Sequence, residues 1–523
     1  MARTLVLDGS RFGLADARGI LSGETRRLRL SPAAWARVAR ARKVVDRIVR
    51  EGRTVYGVST GFGRFQDVAV PRAALEKLQR NLLRSHACGV GPALEAPEVR
   101  LAIALRANTL ARGHSGVSPR VLRALLALFD RDVLPVVPAQ GSVGASGDLA
   151  PLAHLALVLI GEGEATFRGR KRPGAEALAR AGLKPVRLGP KDALSLVNGT
   201  QITNALGLSA LVAADALVRA ADVAAAMSLE ALRGSFRPFL PRVQEVRPHP
   251  GQAVVARNVL RLVRGSKVFA SHSRPHGRVQ DPYSLRCVPQ VHGAARDLLG
   301  FALETSLREA NATTDNPLVF PGDREEIVSA GNFHAEPLAL AFDAAAMAAA
   351  EIASISERRT ETLVNPDLSG GLPPFLAREG GLESGLMMVQ VTAAALVSEN
   401  KVLCHPASVD SIPTSGNQED HVSMGTAAAR KLGQVTANAG QVLGAELLCA
   451  AEALDCRRGP APGAGVRAAH AAVRSLVPRA RGDRPPAPGL RALAEAVRSG
   501  EVADAAERAA GTIAGLGGAR GRP

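Results

Sequence analysis

Long stretches with helical spacing constrain the fold of this chain more than any other feature. Apolar residues recur there every three or four positions, and alanine, leucine and arginine, which favour helix, are abundant. The stretches cover residues 98–112, 119–132, 204–233, 338–360, 385–403 and 425–455. Because alanine lets helix axes approach closely, the pattern predicts a mainly α protein built on a bundle of long helices.

Length and composition are sufficient for a large hydrophobic core. The chain has 523 residues, of which 46% are apolar. The Arg-, Pro- and Gly-rich segment 457–487 predicts a surface connection or mobile arm, and residues 488–509 predict one helix before a Gly-rich end.

The sequence predicts no membrane-spanning helix. Such a helix needs about 18 apolar residues or more, and Asp343 interrupts even the Ala-rich stretch 338–353. The opening sequence MARTLVLDGSRFGL lacks the layout of a signal peptide. We therefore expect a cytoplasmic protein without membrane association.

The formal net charge of +17 raises nucleic-acid binding as an alternative, since Lys and Arg neutralise phosphates. The arginines are dispersed, however, with local density mainly in residues 474–484. Thirteen Phe, two Tyr and one Trp offer too few surfaces on which bases can stack. We expect no nucleic-acid partner, and a non-catalytic basic helical binding protein is the rival hypothesis from another class.

The cysteines and histidines do not predict a metal site. Five cysteines, without CxxC spacing and mostly in apolar surroundings, predict buried free thiols rather than disulfides or zinc ligands. Pro275 breaks the helix that would align His272 with His276, and no carboxylate cluster accompanies them or His292. We expect no required catalytic metal.

The segment GSVGASGDLAPLAH, residues 141–154, places three glycines and two serines before a helix predicted over 149–160. It departs from the nucleophile elbow G-x-S-x-G and from the phosphate-binding fingerprints. A plain turn that caps the helix is one interpretation. In another, the unobstructed nitrogen of Gly147 attacks the carbonyl of Ala145, and loss of water from Ser146 leaves an electrophilic methylene. The positive N-terminal dipole of the helix favours negative charge on such a ring.

This segment resembles the self-processing motif of the aromatic amino acid ammonia-lyases, in which Ala-Ser-Gly becomes 4-methylidene-imidazole-5-one (MIO). The motifs YGVSTGFG, NGTQ, QDPYSLRC, TDNPL, GNFH and NQEDHVSMG occur in the family's order, between about residues 55 and 425. The resemblance implies that MIO forms autocatalytically from Ala145, Ser146 and Gly147, with no external cofactor.

The resemblance also implies the long-helix bundle of the fumarase/aspartase-like superfamily, with a smaller N-terminal domain. We expect that domain over residues 1–110, a central helical core with the MIO segment over 111–410, and a C-terminal helical region with a basic tail over 411–523. The resemblance further implies a homotetramer whose active sites combine loops from three subunits.

Two tyrosines, Tyr56 and Tyr283, lie in polar loop motifs, where a phenol can act as base or oxyanion donor. The resemblance implies that Tyr56 removes the β-proton of the substrate, and that Tyr283 positions the substrate and stabilises negative charge. It also implies that Arg286 holds the substrate carboxylate, and that Asn198 and Gln280 donate hydrogen bonds to substrate or ring.

The same resemblance implies roles for four further residues. The resemblance places Phe333 and Asp148 in the shell that presses the Ala-Ser-Gly turn into shape. His86 and Glu419 suit an imidazole side chain, because the carboxylate accepts from one ring N–H and the histidine bonds the other nitrogen.

The Ser-His pair and NQEDH are similar to the family members that act on L-histidine and release trans-urocanate. Tyrosine-specific members also carry a histidine near the position of His86, so Glu419 carries the discrimination. The nearest rivals are a tyrosine or phenylalanine ammonia-lyase and an aminomutase.

Overall fold

Helices make up most of the regular structure, as the sequence predicted. The computed structural model describes residues 3–270, 279–322, 326–457 and 459–516. Its α-helices are α1 (Leu14–Leu21), α2 (Pro32–Arg50), α3 (Leu75–His86), α4 (Ala96–Ala111), α5 (Pro119–Asp130), α6 (Leu149–Leu159), α7 (Gly174–Arg180), α8 (Leu194–Val197), α9 (Gln201–Ala231), α10 (Pro241–Glu245), α11 (Pro250–Leu262), α12 (Lys267–Ala270), α13 (Tyr283–Arg286), α14 (Val288–Ala310), α15 (Glu336–Val364), α16 (Met387–Leu403), α17 (Gly425–Cys456), α18 (Ala464–Leu476), α19 (Ala487–Ser499) and α20 (Glu501–Ala510).

The described residues also contain short strands that form four small sheets. They are β1 (Arg3–Leu7), β2 (Thr25–Leu30), β3 (Val90–Ala93), β4 (Leu134–Pro135), β5 (Pro138–Gln140), β6 (Glu164–Phe167), β7 (Arg170–Pro173), β8 (Leu318–Val319) and β9 (Ile327–Val328). β1 pairs with β2 in parallel, whereas β3–β5, β4–β6–β7 and β8–β9 are antiparallel. These strands are too short to form a core of their own.

The six long helices predicted from periodicity are present as α4, α5, α9, α15, α16 and α17, with ends that differ by a few residues. The C-terminal prediction was wrong in two places. Helix α18 lies inside the segment expected to be a surface connection, because its buried Val466, Ala469 and Val473 recur at helical spacing. The single helix expected over 488–509 is two helices, since Gly500 adopts the left-handed conformation at φ 85° and ends α19.

The Cα packing divides the chain into two compact units. One comprises Met1–Ser209, Leu303–Asp343 and Pro406–Arg430; the other comprises Ala210–Ala302, Ala344–His405 and Lys431–Pro523. The division into regions 1–110, 111–410 and 411–523 stays a prediction.

Helix α15 is long and apolar enough to cross a membrane by length and composition alone. Within the structure, however, 67% of its most apolar window is buried. The helix therefore has the burial of a core helix, and the described residues contain no second helix of this length and apolarity.

All five cysteines are free, as predicted, but their burial differs from the prediction. Cys449 is buried, Cys287, Cys404 and Cys456 are half-buried, and Cys88 is exposed. Cys88 follows the end of α3, where the chain turns away from the helix, so its apolar sequence neighbours do not enclose it.

The second unit contains a buried ion pair between α15 and α17. The Arg359 guanidinium donates from Nε to Oε1 of Glu446 at 2.6 Å and from Nη2 to Oε2 at 2.7 Å. The hydroxyls of Ser228 and Ser356 donate to the same carboxylate at 2.7 and 2.6 Å. Both charged side chains are fully buried, so each depends on the other for neutralisation.

Replacement of Glu446 by Ala leaves the Arg359 charge buried and uncompensated. We expect the free energy of unfolding to fall by about 3–5 kcal/mol, measured by urea denaturation. Glu495→Ala, which breaks the exposed pair with Arg498, is the control and should change stability little. Equal effects of the two substitutions would contradict this account.

Candidate active site

The Ala-Ser-Gly turn lies between β5 and the start of α6, in the first unit. Gly144 and Gly147 adopt positive φ values of 68° and 70°. A Cβ atom at Gly147 would lie 2.5 Å from the backbone nitrogen of Gly199, so a larger residue does not fit there. The chain at this turn is therefore held in close backbone contact with the segment at Gly199.

Asp148, which follows the turn, anchors it through a fully buried carboxylate. Its Oδ1 accepts from Thr203 Oγ1 at 2.7 Å, Ser142 Oγ at 2.9 Å and Thr426 Oγ1 at 3.0 Å. Its Oδ2 accepts from the Thr203 backbone at 2.7 Å. Burial raises the pKa of Asp148, and these hydrogen bonds act against the rise. Sequence reasoning missed all three donors: Thr203 and Thr426 are polar residues in helices without a distinctive pattern, and Ser142 is one of two serines in the Gly-Ser segment.

Two other segments hold the start of the turn. The backbone N–H of Ala335 donates to the Gly144 carbonyl at 3.1 Å, and that of Met424 donates to Val143 at 2.9 Å. The Ser423 hydroxyl also donates to the Gly144 carbonyl, at 3.2 Å. Phe333 is half-buried two residues before Ala335, so it lies in a segment that contacts the turn. Its role as a support stays a prediction.

Asn198 contacts Ser146 directly. Its Nδ2 donates to the Ser146 carbonyl at 2.8 Å, whereas its Oδ1 is buried without a hydrogen-bond partner among the described residues. The buried Arg106 fixes the flanking chain, since its Nε donates to the Ser195 carbonyl at 2.9 Å and its Nη1 to Gln201 Oε1 at 2.9 Å. The buried amide oxygen of Asn198 therefore remains able to accept a hydrogen bond from a donor group.

Glu419 contacts Ser146 from the other side. The Ser146 hydroxyl donates to Oε1 of Glu419 at 2.6 Å, and the Thr414 hydroxyl donates to Oε2 at 2.7 Å. Thr414 and Glu419 also exchange backbone hydrogen bonds at 2.9 and 3.3 Å. The carboxylate is therefore held at the turn by its own loop. Thr414 is a further site residue that the sequence analysis did not identify.

Tyr56 lies half-buried in a turn that Ser59 closes. The Ser59 hydroxyl accepts from the Val55 backbone at 3.0 Å and donates to the Arg53 carbonyl at 2.8 Å. Burial raises the pKa of the Tyr56 phenol, the charge of Glu419 raises it further, and a backbone hydrogen bond from Gly63 acts in the opposite direction. The charge of Glu419 therefore reaches the Tyr56 phenol.

His86 ends α3, with its Nδ1 2.9 Å from the Ser85 hydroxyl. Burial lowers the pKa of His86, while a backbone hydrogen bond at Leu82 and the charge of Glu419 raise it. The lowered pKa favours a neutral imidazole, which can donate from one nitrogen and accept at the other. Within the first unit, Asn198 and Glu419 thus contact Ser146, and the charge of Glu419 acts on Tyr56 and His86. Their roles in a common site stay predictions.

Tyr283 and Arg286 lie together in the second unit, on the single turn α13. The Arg286 guanidinium lies over the Tyr283 ring, 4.6 Å from its centroid, and its Nε donates to the Asp281 carbonyl at 3.0 Å. The Asp281 carboxylate in turn accepts from the Ser235 backbone at 2.6 Å. Tyr283 is 70% exposed, and Gln280 is exposed. The phenol and the guanidinium are thus available for contact with another molecule.

His292 is buried in the second unit, where it contacts Asp222. Its Nδ1 lies 2.9 Å from Asp222 Oδ1, and Arg296 donates to Asp222 Oδ2 at 2.6 Å. His272 and His276 lie outside the described residues. Within the residues that the structure describes, no group of three or more His, Cys, Asp or Glu has a metal-binding arrangement.

Comparison with known proteins identifies the class. The family model for aromatic amino acid lyases matches residues 12–475, and the chain belongs to the aromatic amino acid lyase family. It is a carbon–nitrogen lyase. The long-helix fold is that of the ammonia-lyases and aminomutases, within the fumarase/aspartase-like class.

Particular relatives are similar over nearly their whole length. A histidine ammonia-lyase of Anaeromyxobacter sp. (strain K) is 57% identical over 489 residues, covering 92% of this chain and 96% of the relative. The crystal structure of histidine ammonia-lyase from Trypanosoma cruzi has a TM-score of 0.92 and 40% identity, covering 100% and 99% of the two chains. A tyrosine aminomutase from Streptomyces globisporus has a TM-score of 0.92 and 35% identity, covering 98% and 99%.

Gly199 gives a test of the packed turn. A Cβ at this position would lie 2.5 Å from Gln201 Oε1 and 2.8 Å from the Thr314 carbonyl oxygen. We expect Gly199→Ala to reduce the free energy of unfolding by about 1–3 kcal/mol, measured by urea denaturation. Gly433→Ala, in α17 with open space around its Cβ, should instead be neutral or stabilise by roughly 0.5–1 kcal/mol. A neutral Gly199→Ala would contradict the close packing.

Proposed function

We propose that this chain is a histidine ammonia-lyase, which eliminates ammonia from L-histidine without oxidation and releases trans-urocanate. The observation that carries the proposal is the position of Glu419, whose carboxylate lies at the Ser146 turn and interacts electrostatically with Tyr56 and His86. The 57% identity to a histidine ammonia-lyase over most of both chains supports the same substrate.

We propose that MIO forms from Ala145, Ser146 and Gly147, and the surrounding residues fit this group. Gly147 is too closely packed for any side chain, and the unpaired Oδ1 of Asn198 is buried beside Ser146. Once formed, MIO supplies an electrophile that makes the substrate amine a leaving group. The proposal needs no external organic cofactor and no metal.

The chain's own residues then bind the substrate and move its proton. We propose that the Tyr56 phenolate removes the β-proton, and that Tyr283 and Asn198 hold the substrate and stabilise developing charge. Arg286 offers the fork geometry that binds a carboxylate through two N–H groups. Gln280, exposed next to this cluster, is assigned a hydrogen bond to the substrate.

Glu419 and His86 are proposed to select the imidazole side chain. The carboxylate accepts from one ring N–H, and His86, neutral because burial lowers its pKa, hydrogen-bonds the other nitrogen. A phenyl ring satisfies neither group, so each would be left unpaired in a desolvated site. An aminomutase or a tyrosine ammonia-lyase is the rival within the family, as the similarity to a tyrosine aminomutase illustrates.

We propose that the protein is a cytoplasmic homotetramer with shared active sites. Tyr283 is exposed on its own chain, although its assigned role requires contact with substrate. Apolar side chains on α16 are also exposed, among them Met388, Val391 and Val402, and such a face is typical of a subunit interface. A second copy supplies the enclosure that both features lack.

Assay of the purified protein with L-histidine, L-tyrosine and L-phenylalanine tests the substrate. We expect the absorbance of a conjugated acrylate to appear with L-histidine, at a kcat/KM at least about 100-fold above that for the other two. Faster turnover of tyrosine, or a β-amino acid as the main product, would contradict the proposal.

The pH dependence of kcat/KM tests Tyr56 as the base. Because the pKa of Tyr56 is raised, its phenolate fraction at neutral pH is small and grows as pH rises. We expect kcat/KM to increase through the alkaline range and to keep increasing beyond the ordinary phenol pKa of about 10. Tyr56→Phe should lower kcat/KM by about 10²–10⁴-fold and lose the tyrosine-dependent part of this increase. An unchanged pH profile in Tyr56→Phe would refute the assignment.

A further inference from the structure

The Ser146 hydroxyl is hydrogen-bonded to the carboxylate of Glu419. Its Oγ donates to Glu419 Oε1 at 2.6 Å, and Thr414 holds the other carboxylate oxygen at 2.7 Å. This hydroxyl is the group that leaves as water when Ser146 becomes a methylene. The carboxylate assigned above to substrate selection therefore contacts, in the unprocessed chain, the leaving group of the self-processing reaction.

A second carboxylate near the turn, that of Asp148, is fixed by other donors. Asp148 accepts four hydrogen bonds, from Ser142, Thr426 and both the backbone and the hydroxyl of Thr203. Those donors hold the Asp148 carboxylate in place as the anchor of the turn. Asn198 contacts Ser146 through the carbonyl rather than the hydroxyl, and a neutral amide is not an effective acid or base at neutral pH.

We propose that Glu419 is the proton-transfer residue of Ser146 dehydration, an inference that rests on the proposed MIO chemistry. The Gly147 nitrogen first bonds to the Ala145 carbonyl carbon, and that oxygen leaves as water with the two hydrogens of the Gly147 and Ser146 amide nitrogens, so that a C=N bond forms to the Ser146 nitrogen. Glu419 then takes the Cα proton of Ser146. The Cα–Cβ double bond forms as the Cβ–Oγ bond breaks. Glu419 delivers the proton to Oγ, which leaves as the second water, and the carboxylate is restored.

A consequence follows for the order of events at the site. While Ser146 keeps its hydroxyl, Oε1 of Glu419 is occupied by it. Loss of the hydroxyl releases that oxygen, which then accepts the N–H of the substrate imidazole. One carboxylate thus serves dehydration first and substrate recognition second, and self-processing completes the substrate site.

The test follows dehydration itself rather than ammonia release. The full-length chain is produced by cell-free synthesis. The mass of the peptide that spans residues 141–154 is then measured by mass spectrometry at successive times. We expect the wild type and Asp420→Asn, which removes the adjacent exposed carboxylate, to lose two waters at equal rates. Glu419→Gln should lose the Ser146 water about 10²–10⁴-fold more slowly. Glu419→Gln that loses both waters at the wild-type rate overturns the proposal.

Two further variants separate proton transfer from a role in folding. Glu419→Ala should also dehydrate slowly, and added formate, a small carboxylate, should restore its rate. Formate that has no effect on a Glu419→Ala chain with wild-type circular dichroism counts against the proposal. Tyr56→Phe should lose both waters at the wild-type rate, but it should release urocanate much more slowly than the wild type. A wild-type peptide that keeps its full mass would instead refute the proposed MIO chemistry, so the two failures are distinguishable.

Discussion

The buried carboxylate of Asp148 is the interaction on which the site depends. A fully buried carboxylate is costly unless several donors satisfy it, and Ser142, Thr203 and Thr426 supply them from three separate segments. The Ala-Ser-Gly turn precedes this anchor directly, so its position is set by the segments that carry those donors. Gly147 is held in close contact with Gly199, since the backbone N–H of the next residue, Asp148, donates to the Gly199 carbonyl at 2.7 Å.

This anchoring supports the proposed cyclisation of Ala145, Ser146 and Gly147. Cyclisation requires the Gly147 nitrogen and the Ala145 carbonyl to meet in a conformation that a free chain visits rarely. The fold restricts that freedom in advance, so little ordering is left to the reaction. Asn198 and Glu419 contact the carbonyl and the hydroxyl of Ser146, respectively. Restriction by the backbone and contact by polar side chains therefore act on the same three residues.

The sequence was informative wherever a periodic pattern or a motif reports local structure. Helical spacing predicted α4, α9 and α17 to within a few residues, and the loop motifs contained Tyr56, Asn198 and Glu419, which the structure places together in the first unit. Long-range partners were not predictable in the same way. Thr203 and Thr426 are ordinary polar residues in helical segments, and only the tertiary fold brings them to Asp148. The break at Gly500 was missed because glycine within a helical pattern is often tolerated.

A crystal structure of the purified, active protein tests the central claim most directly. The account predicts continuous electron density for a five-membered ring, with a covalent bond from the Gly147 nitrogen to the Ala145 carbonyl carbon and a planar methylene in place of the Ser146 hydroxymethyl group. Density for an ordinary, uncyclised peptide through residues 145–147 in a fully active preparation would contradict this account.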